Sequence, residues 1–127
     1  MFEAKFEDKL FLRYLRLLGI QKQRPDFEYL KKIVKAQLSK VPFENISKIF
    51  FKKRLNLNHL IDFEPYLNGI EKYGFGGTCY SNNFYLNQLL NWLGYNTKLC
   101  GADMKKPDVH IINIVTIENH EFLVDTG

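Results

Sequence analysis

The chain has few cysteines and no long apolar run, and both absences narrow the classes of protein to which it can belong. Cys79 and Cys100 are the two cysteines among 127 residues, and no secretory signal pattern precedes them. A disulfide scaffold needs more cysteines and an oxidising compartment, so we expect reduced thiols and a cytoplasmic protein. The apolar stretch at residues 10–18 is interrupted by Arg13 and Arg16 and is too short to cross a bilayer. We therefore predict no membrane association.

The chain also has little clustered positive charge and lacks the Cys and His spacing typical of zinc sites. The net charge of +4 comes from scattered basic residues, with Lys52-Lys53-Arg54 as the one run. A nucleic-acid site needs a basic patch, so we interpret this run as a solvated loop and predict no nucleic-acid partner. No Cys-x-x-Cys or His-x-x-x-His pair occurs. Zinc sites usually depend on such spacing, so we predict no metal.

Helical spacing of apolar residues dominates the first part of the chain. The first helix should end at Gly19, a common left-handed cap, and Asp26 should cap the start of a second that ends before Pro42. The expected apolar stripe of this second helix is Phe27, Leu30, Val34 and Leu38. A third helix is predicted from Pro65 to Tyr73, and residues 43–62 should be irregular or contain a short strand.

The pattern changes from helix to strand near residue 94. Residues 79–93 have helical spacing and stop at Gly94, whereas residues 95–102, 109–117 and 122–124 are typical of strands. Glu118-Asn119 is a candidate two-residue hairpin turn. Helices followed by strands indicate an α+β fold, so we predict a helical bundle in residues 1–94 and antiparallel strands in residues 95–127.

Three residue types needed for thiol-based acyl transfer occur in order along the chain: Cys79, His110 and Asp125. Cys79 is expected in the first turn of its helix, where N–H groups and the positive end of the helix dipole stabilise a thiolate. Each residue alone has a plainer explanation. A lone cysteine is usually a small buried hydrophobe, and a lone strand histidine is usually a satisfied side chain.

The loop Gly76-Gly77-Thr78 directly precedes Cys79 and is the expected contact for an acyl donor. Its glycines leave the approach to the sulfur without side chains, so a bulky thioester can come close to the backbone. The Cys79 N–H could then contribute to an oxyanion hole. The alternative explanation of these glycines is a simple turn before a helix.

The length of the hairpin turn decides whether Asp125 can reach His110. With a two-residue turn, Ile117 pairs with His120 and Ile112 with Asp125, which puts Asp125 on the face of His110. Such diagonal neighbours lie about 7–8 Å apart, so the carboxylate could fix the tautomer of the ring. A three-residue turn would place Asp125 on the opposite face.

Residues 74–83 read GFGGTCYSNN, which resembles the RGGxCFExN motif of arylamine N-acetyltransferases. Five further segments are similar to family motifs in the same order. They are YLRLLGI at 14–20 with YxxRIG, VPFENI at 41–46 with VPFENL, LGY at 93–95 with LGF, VHI at 109–111 with the histidine strand, and FLVDTG at 122–127 with LVDVGFG. The resemblance therefore extends along the whole chain.

The resemblance implies a ping-pong reaction in which Cys79 takes an acetyl group from the co-substrate acetyl-CoA. The thioester would pass this group to an arylamine, arylhydrazine or N-hydroxyarylamine, with His110 taking the thiol proton and Asp125 holding the ring. The implied fold has a cysteine-protease-like arrangement of these three residues. In this fold a helical bundle carries the cysteine, and a β-barrel carries the other two residues. A C-terminal lid follows in the family and is expected to be absent from this chain.

Two positions depart from the family pattern, because Phe75 stands where the family has arginine and Ser81 where it has glutamate. Their loss would change the choice of substrate or weaken activity. The sequence stops at Gly127 inside a family motif, and a cut barrel would leave open strand edges that favour self-association. The alternatives are a non-catalytic binding module that keeps the core of the fold, and a Cys-His-Asp hydrolase in which water replaces the amine.

Overall fold

Within residues 6–55, 60–101 and 111–126, which a computed structural model describes, the chain forms five helices and three strands. The elements in chain order are α1 (Phe6–Leu18), α2 (Phe27–Lys40), α3 (Ile46–Leu55), α4 (Phe63–Tyr73), α5 (Cys79–Leu93), β1 (Asn96–Gly101), β2 (Ile111–Ile117) and β3 (His120–Val124). The predicted α+β class, with helices followed by antiparallel strands, is confirmed. No helix in these ranges has the length and apolar character needed to span a membrane.

Local sequence signals set most helix ends. Asp26 caps α2, and its side-chain Oδ1 accepts a hydrogen bond from the Tyr29 N–H at 2.8 Å. Gly19, Gly74 and Gly94 follow α1, α4 and α5 with left-handed backbone at φ of 76°, 67° and 102°. This conformation has little cost for glycine and closes the last helical turn. The predicted ends of α1, α2 and α5 are confirmed.

Helix α3 lies in the segment that was predicted to be irregular, so that prediction is wrong. Its apolar residues do not form one buried stripe, since Ile46 and Ile49 are exposed, and periodicity therefore did not indicate a helix. Phe43 forms an isolated parallel bridge with Gly77, which is the short strand-like contact in this segment. Lys52-Lys53-Arg54 belongs to the last turn of α3 and not to a loop, although its side chains are exposed as expected.

The buried face of α2 also differs from the prediction. Phe27 and Leu38 of the expected stripe are exposed, whereas Tyr29 and Ile33 are buried. The buried apolar residues of α2 are thus Tyr29, Leu30 and Ile33, and the helix contacts α1. Helix α4 begins two residues before the predicted start at Pro65, after Asp62.

Tyrosine side chains form much of the core between the helices. Tyr66 and Tyr85 stack at 4.8 Å between ring centroids, and Tyr14 meets Tyr66 edge-on at 6.3 Å. The Tyr14 hydroxyl donates to Gln37 Oε1 at 2.7 Å. Burial, and secondly the Asp62 carboxylate, raise the pKa of Tyr85 to about 12, because the phenolate would be poorly solvated.

The sheet has the order β1-β2-β3, with both pairs antiparallel. Glu118 and Asn119 have φ of 50° and 68°, as a two-residue turn with a primed geometry requires. Ile117 pairs with His120 and Val115 with Phe122, so the predicted turn and register are confirmed.

Helix α5 packs against β1 and β2. Val115, in the middle of β2, is completely buried and belongs to the apolar core formed with the helices. The strands are thereby fixed relative to the helix that begins at Cys79. This contact positions the candidate active site.

Candidate active site

Cys79 is the first residue of α5, as the sequence predicted. Thr78 precedes it with extended backbone at φ −75° and ψ 175°, which is the geometry of an N-cap residue. The Cys79 side chain is half-buried, and neither cysteine takes part in a disulfide. Cys79 therefore lies at the positive end of the dipole of α5.

The segment 42–44 fixes the loop before Cys79. The Gly76 N–H donates to Glu44 Oε2 at 2.9 Å, and the Gly77 N–H donates to the Pro42 carbonyl at 3.2 Å. The Glu44 N–H in turn donates to the Gly77 carbonyl at 3.0 Å. Both glycine N–H groups thus have acceptors inside the chain.

Close packing accounts for the absence of side chains at these two positions. A Cβ at Gly76 would collide with the Pro42 carbonyl oxygen, and a Cβ at Gly77 would collide with Ser81 Oγ in the first turn of α5. At Gly76 the obstacle is backbone, so glycine is needed there for the approach of the chain to itself, whereas at Gly77 the obstacle is the rotatable Ser81 hydroxyl. The further role of Gly76, Gly77 and Thr78 in contacting an acyl donor stays a prediction.

Asn82, on α5, connects the loop before Cys79 to α4. Its Nδ2 donates to the carbonyls of Pro42 at 3.2 Å and Gly77 at 3.0 Å, while its Oδ1 accepts from the Tyr66 hydroxyl at 2.8 Å. The side chain is completely buried, so these bonds offset the cost of removing an amide from water.

Asn83 connects α5 to the strands. Its Nδ2 donates to the Ile111 carbonyl at 2.8 Å and to Asp125 Oδ1 at 3.2 Å. Its Oδ1 accepts from the Thr126 N–H at 3.1 Å and from the Thr126 hydroxyl at 2.9 Å. The Asn113 side chain donates to the Asn83 backbone carbonyl at 3.0 Å. Both the start of β2 and the chain beyond β3 are therefore bonded to this one residue.

Two of the three predicted catalytic residues are connected through this contact. Asp125 directly follows β3 and is exposed, and Asn83 lies one helical turn after Cys79 on α5. His110 lies outside the described residues. Its approach to Asp125 and Cys79 therefore stays a prediction, although the hairpin register on which it rests is the one observed.

The two positions that depart from the family motif are Phe75 and Ser81. Phe75 is half-buried, and its ring contacts are Tyr73 at 5.1 Å, Phe50 at 5.5 Å and Phe51 at 6.0 Å. Ser81 is buried, and its hydroxyl donates to the Thr78 carbonyl at 3.4 Å. An aromatic cluster thus occupies the place of the family's arginine.

Sequence reasoning assigned no role to Glu44, Asn82 or Asn83. Two consecutive asparagines, three and four residues after a candidate nucleophile at a predicted helix start, were the available signal. Polar residues on the buried side of a helix need partners, but the sequence does not say which ones. For metals, the described part of the chain contains no group of three His, Cys, Asp or Glu residues that could hold an ion.

Comparison with known proteins identifies the family of the chain. The family model described as N-acetyltransferase matches residues 26–127. The chain belongs to this N-acetyltransferase family. The resemblance inferred from the sequence motifs is confirmed.

Curated relatives of this N-acetyltransferase-family chain include vertebrate and bacterial proteins. The arylamine N-acetyltransferase pineal gland isozyme NAT-3 of Gallus gallus is 31% identical over 113 residues, which cover 83% of this chain and 37% of the relative. Proansamycin X synthase of Amycolatopsis mediterranei is 29% identical over 109 residues, which cover 80% of this chain and 41% of the relative. The chain spans well under half the length of both.

Solved arylamine N-acetyltransferase structures share the fold. That of Mycobacterium abscessus superposes with a TM-score of 0.75 at 21% identity, covering 99% of this chain and 47% of its own. That of Bacillus cereus, which has a Cys-His-Glu catalytic triad, gives a TM-score of 0.68 at 23% identity, covering 98% and 49%. The helical bundle and the first strands of the family fold are therefore present in this chain.

Proposed function

We propose that the chain takes part in acetyl transfer from acetyl-CoA to an arylamine or arylhydrazine nitrogen, with Cys79 as the nucleophile. The observation that carries this proposal is the position of Cys79 at the start of α5, with Asp125 bonded to the same helix through Asn83. Family membership supports the class of reaction, since the curated relatives include arylamine N-acetyltransferases.

In the first half-reaction, the Cys79 sulfur attacks the carbonyl carbon of the acetyl thioester. A new sulfur–carbon bond forms, the bond from that carbon to the coenzyme sulfur breaks, and the coenzyme leaves as a thiol after taking a proton. We propose that His110 receives the proton of Cys79 and delivers it to the leaving sulfur. Asp125 would hold the ring in the required orientation, as a carboxylate does in other nucleophile–histidine pairs.

In the second half-reaction, the amine nitrogen attacks the carbon of the acetyl-Cys79 thioester. The nitrogen–carbon bond forms, the bond between that carbon and the Cys79 sulfur breaks, and the amine proton passes to His110, which returns it to the Cys79 sulfur. The products are the acetylated amine and the regenerated thiol. No oxidant or metal is consumed in either half.

The tetrahedral intermediates carry negative charge on oxygen, which N–H donors can stabilise. The Gly76 and Gly77 N–H groups donate to Glu44 and Pro42, so they are occupied. We propose that the oxyanion is stabilised at the N-terminus of α5, beside Cys79. The same end of the helix dipole that favours the thiolate would favour this oxyanion.

The direct test is to incubate the protein with acetyl-CoA and to measure intact mass. We expect one acetyl group per chain, lost in Cys79→Ala and retained in Cys100→Ala, which removes the other half-buried cysteine. Adding an arylamine should then release the adduct as the acetylated amine. Absence of an adduct, or its persistence in Cys79→Ala, would rule out the proposal.

The same experiment separates the alternatives. An adduct that disappears at the same rate with and without amine would indicate a hydrolase. A chain that binds acetyl-CoA without acylation would indicate a binding module. The domain boundary at residue 94, self-association and the cytoplasmic location stay predictions.

A further inference from the structure

The Asn83 side chain has a full set of hydrogen bonds, and all of them point toward the strands. An amide offers two N–H donors and one oxygen with two lone pairs. The donors are used by the Ile111 carbonyl and Asp125 Oδ1, and the oxygen is used twice by Thr126. The side chain is completely buried, so few other arrangements of this amide could satisfy its polar atoms.

We propose that Asn83 is a positioning residue that sets the place of Asp125 relative to the helix of Cys79. This inference rests on the proposed function, because positioning matters only if Asp125 acts together with Cys79. Asn83 acts through Asp125 and does not touch the reacting atoms. Its bonds to Ile111 and Thr126 hold the chain on both sides of the hairpin, so the Asp125 carboxylate has a defined position although it is exposed.

The chemistry of the contact discriminates between asparagine and aspartate. Asn83→Asp keeps the shape but replaces two donors by an oxygen that accepts. This oxygen would face the Ile111 carbonyl and the Asp125 carboxylate, and like charges at this distance repel. The substitution should therefore displace Asp125 even where the fold survives.

Asn87→Asp is a matched control on the same helix. Asn87 is also buried and lies one turn further along α5, but its side-chain oxygen accepts from Gln88 at 3.2 Å and Asn91 at 3.1 Å within the helix. The same chemical change is thus made at a similar depth, away from Asp125. Both variants should lower stability, and they should differ in their effect on Cys79.

The first measurement is the rate of alkylation of Cys79 by iodoacetamide as a function of pH, in a Cys100→Ala background. We expect Asn83→Asp to shift the profile or to lower the rate near neutral pH about tenfold, the size of effect expected when an orienting contact to a reactive group is lost. Asn87→Asp should have the profile of the parent. Equal profiles for the two variants would overturn the proposal.

The second measurement is a double-mutant cycle for Asn83→Ala and Asp125→Ala. The parent, the two single variants and the double variant are each unfolded with urea. If the two side chains are coupled, the unfolding constant of the double variant should differ about fivefold or more from the value expected for independent effects. Additive effects would overturn the proposal. If Asn83→Ala does not fold, Asn83→Ser, which keeps a donor and an acceptor, replaces it in the cycle.

Neither measurement requires an acyl donor, so the two proposals can fail separately. A chain that shows the coupling and the altered alkylation profile but forms no acetyl adduct would refute the acyltransferase and leave the role of Asn83 intact. A chain that forms the adduct equally fast in the parent and in Asn83→Asp would keep the acyltransferase and refute the role of Asn83.

Discussion

Glu44 gives the sharpest prediction about stability, because one carboxylate accepts bonds from two separate segments. Its Oε1 accepts from the Ser47 N–H at 2.7 Å, in the first turn of α3, and its Oε2 accepts from the Gly76 N–H at 2.9 Å. Glu44→Gln keeps the size of the side chain but has one accepting oxygen. The amide nitrogen must therefore face one of the two N–H groups, and that bond is lost.

The magnitude follows from the type of bond. A hydrogen bond to a charged group contributes about 1.5–3 kcal/mol, and a buried N–H left without a partner costs a similar amount. Because Glu44 is half-buried, we expect Glu44→Gln to lower the free energy of unfolding by about 2 kcal/mol, within a total of about 5–15 kcal/mol for a domain. Glu44→Ala removes both bonds and should cost about 3–4 kcal/mol on the same basis.

Urea unfolding followed by circular dichroism measures this difference. Glu121→Gln is the matched control, since Glu121 is exposed on β3 and a surface change of this kind usually alters stability by at most about 0.5 kcal/mol. If Glu44→Gln and Glu121→Gln unfold at the same urea concentration with the same slope, the hydrogen bonds of Glu44 do not contribute the stability assigned to them.

Two further predictions concern the loop and the core. Gly76→Ala should lower the free energy of unfolding by about 3 kcal/mol, because the new Cβ would collide with the backbone carbonyl of Pro42. Gly74→Ala meets open space and should cost about 1–2 kcal/mol for its left-handed backbone. A larger loss in Gly74→Ala than in Gly76→Ala, measured by urea unfolding, would contradict this explanation. Because the folded pKa of Tyr85 is raised from 10.0 to about 12, its protonated hydroxyl contributes stability below pH 10 that is lost as the pH rises through 12. Tyr85→Phe should therefore unfold with a weaker pH dependence between these values, and an unchanged dependence would show that this phenol does not contribute.

Local chemistry fixed the elements that the sequence predicted correctly. Asp26 and Gly94 set helix ends because capping involves residues within one turn of each other. Glu118-Asn119 fixed the hairpin register because a two-residue turn with positive φ allows one pairing of its strands. The position of Cys79 at the start of α5 followed from the same short-range signals.

Tertiary packing decided the parts that the sequence did not reveal. Helix α3 has no clean apolar stripe, and α2 buries Tyr29 and Ile33 while Phe27 and Leu38 of its expected stripe are exposed. The polar contacts of the site join residues far apart in the chain, such as Glu44 with Gly76 and Asn83 with Asp125.

The sequence by itself therefore determined the α+β order, the ends of α1, α2 and α5, and the hairpin register. The tertiary structure decided which polar groups hold Gly76 and Asp125. The physical reason is that caps and turns are satisfied within a few residues, whereas a buried amide or carboxylate accepts any suitable partner that core packing brings to it.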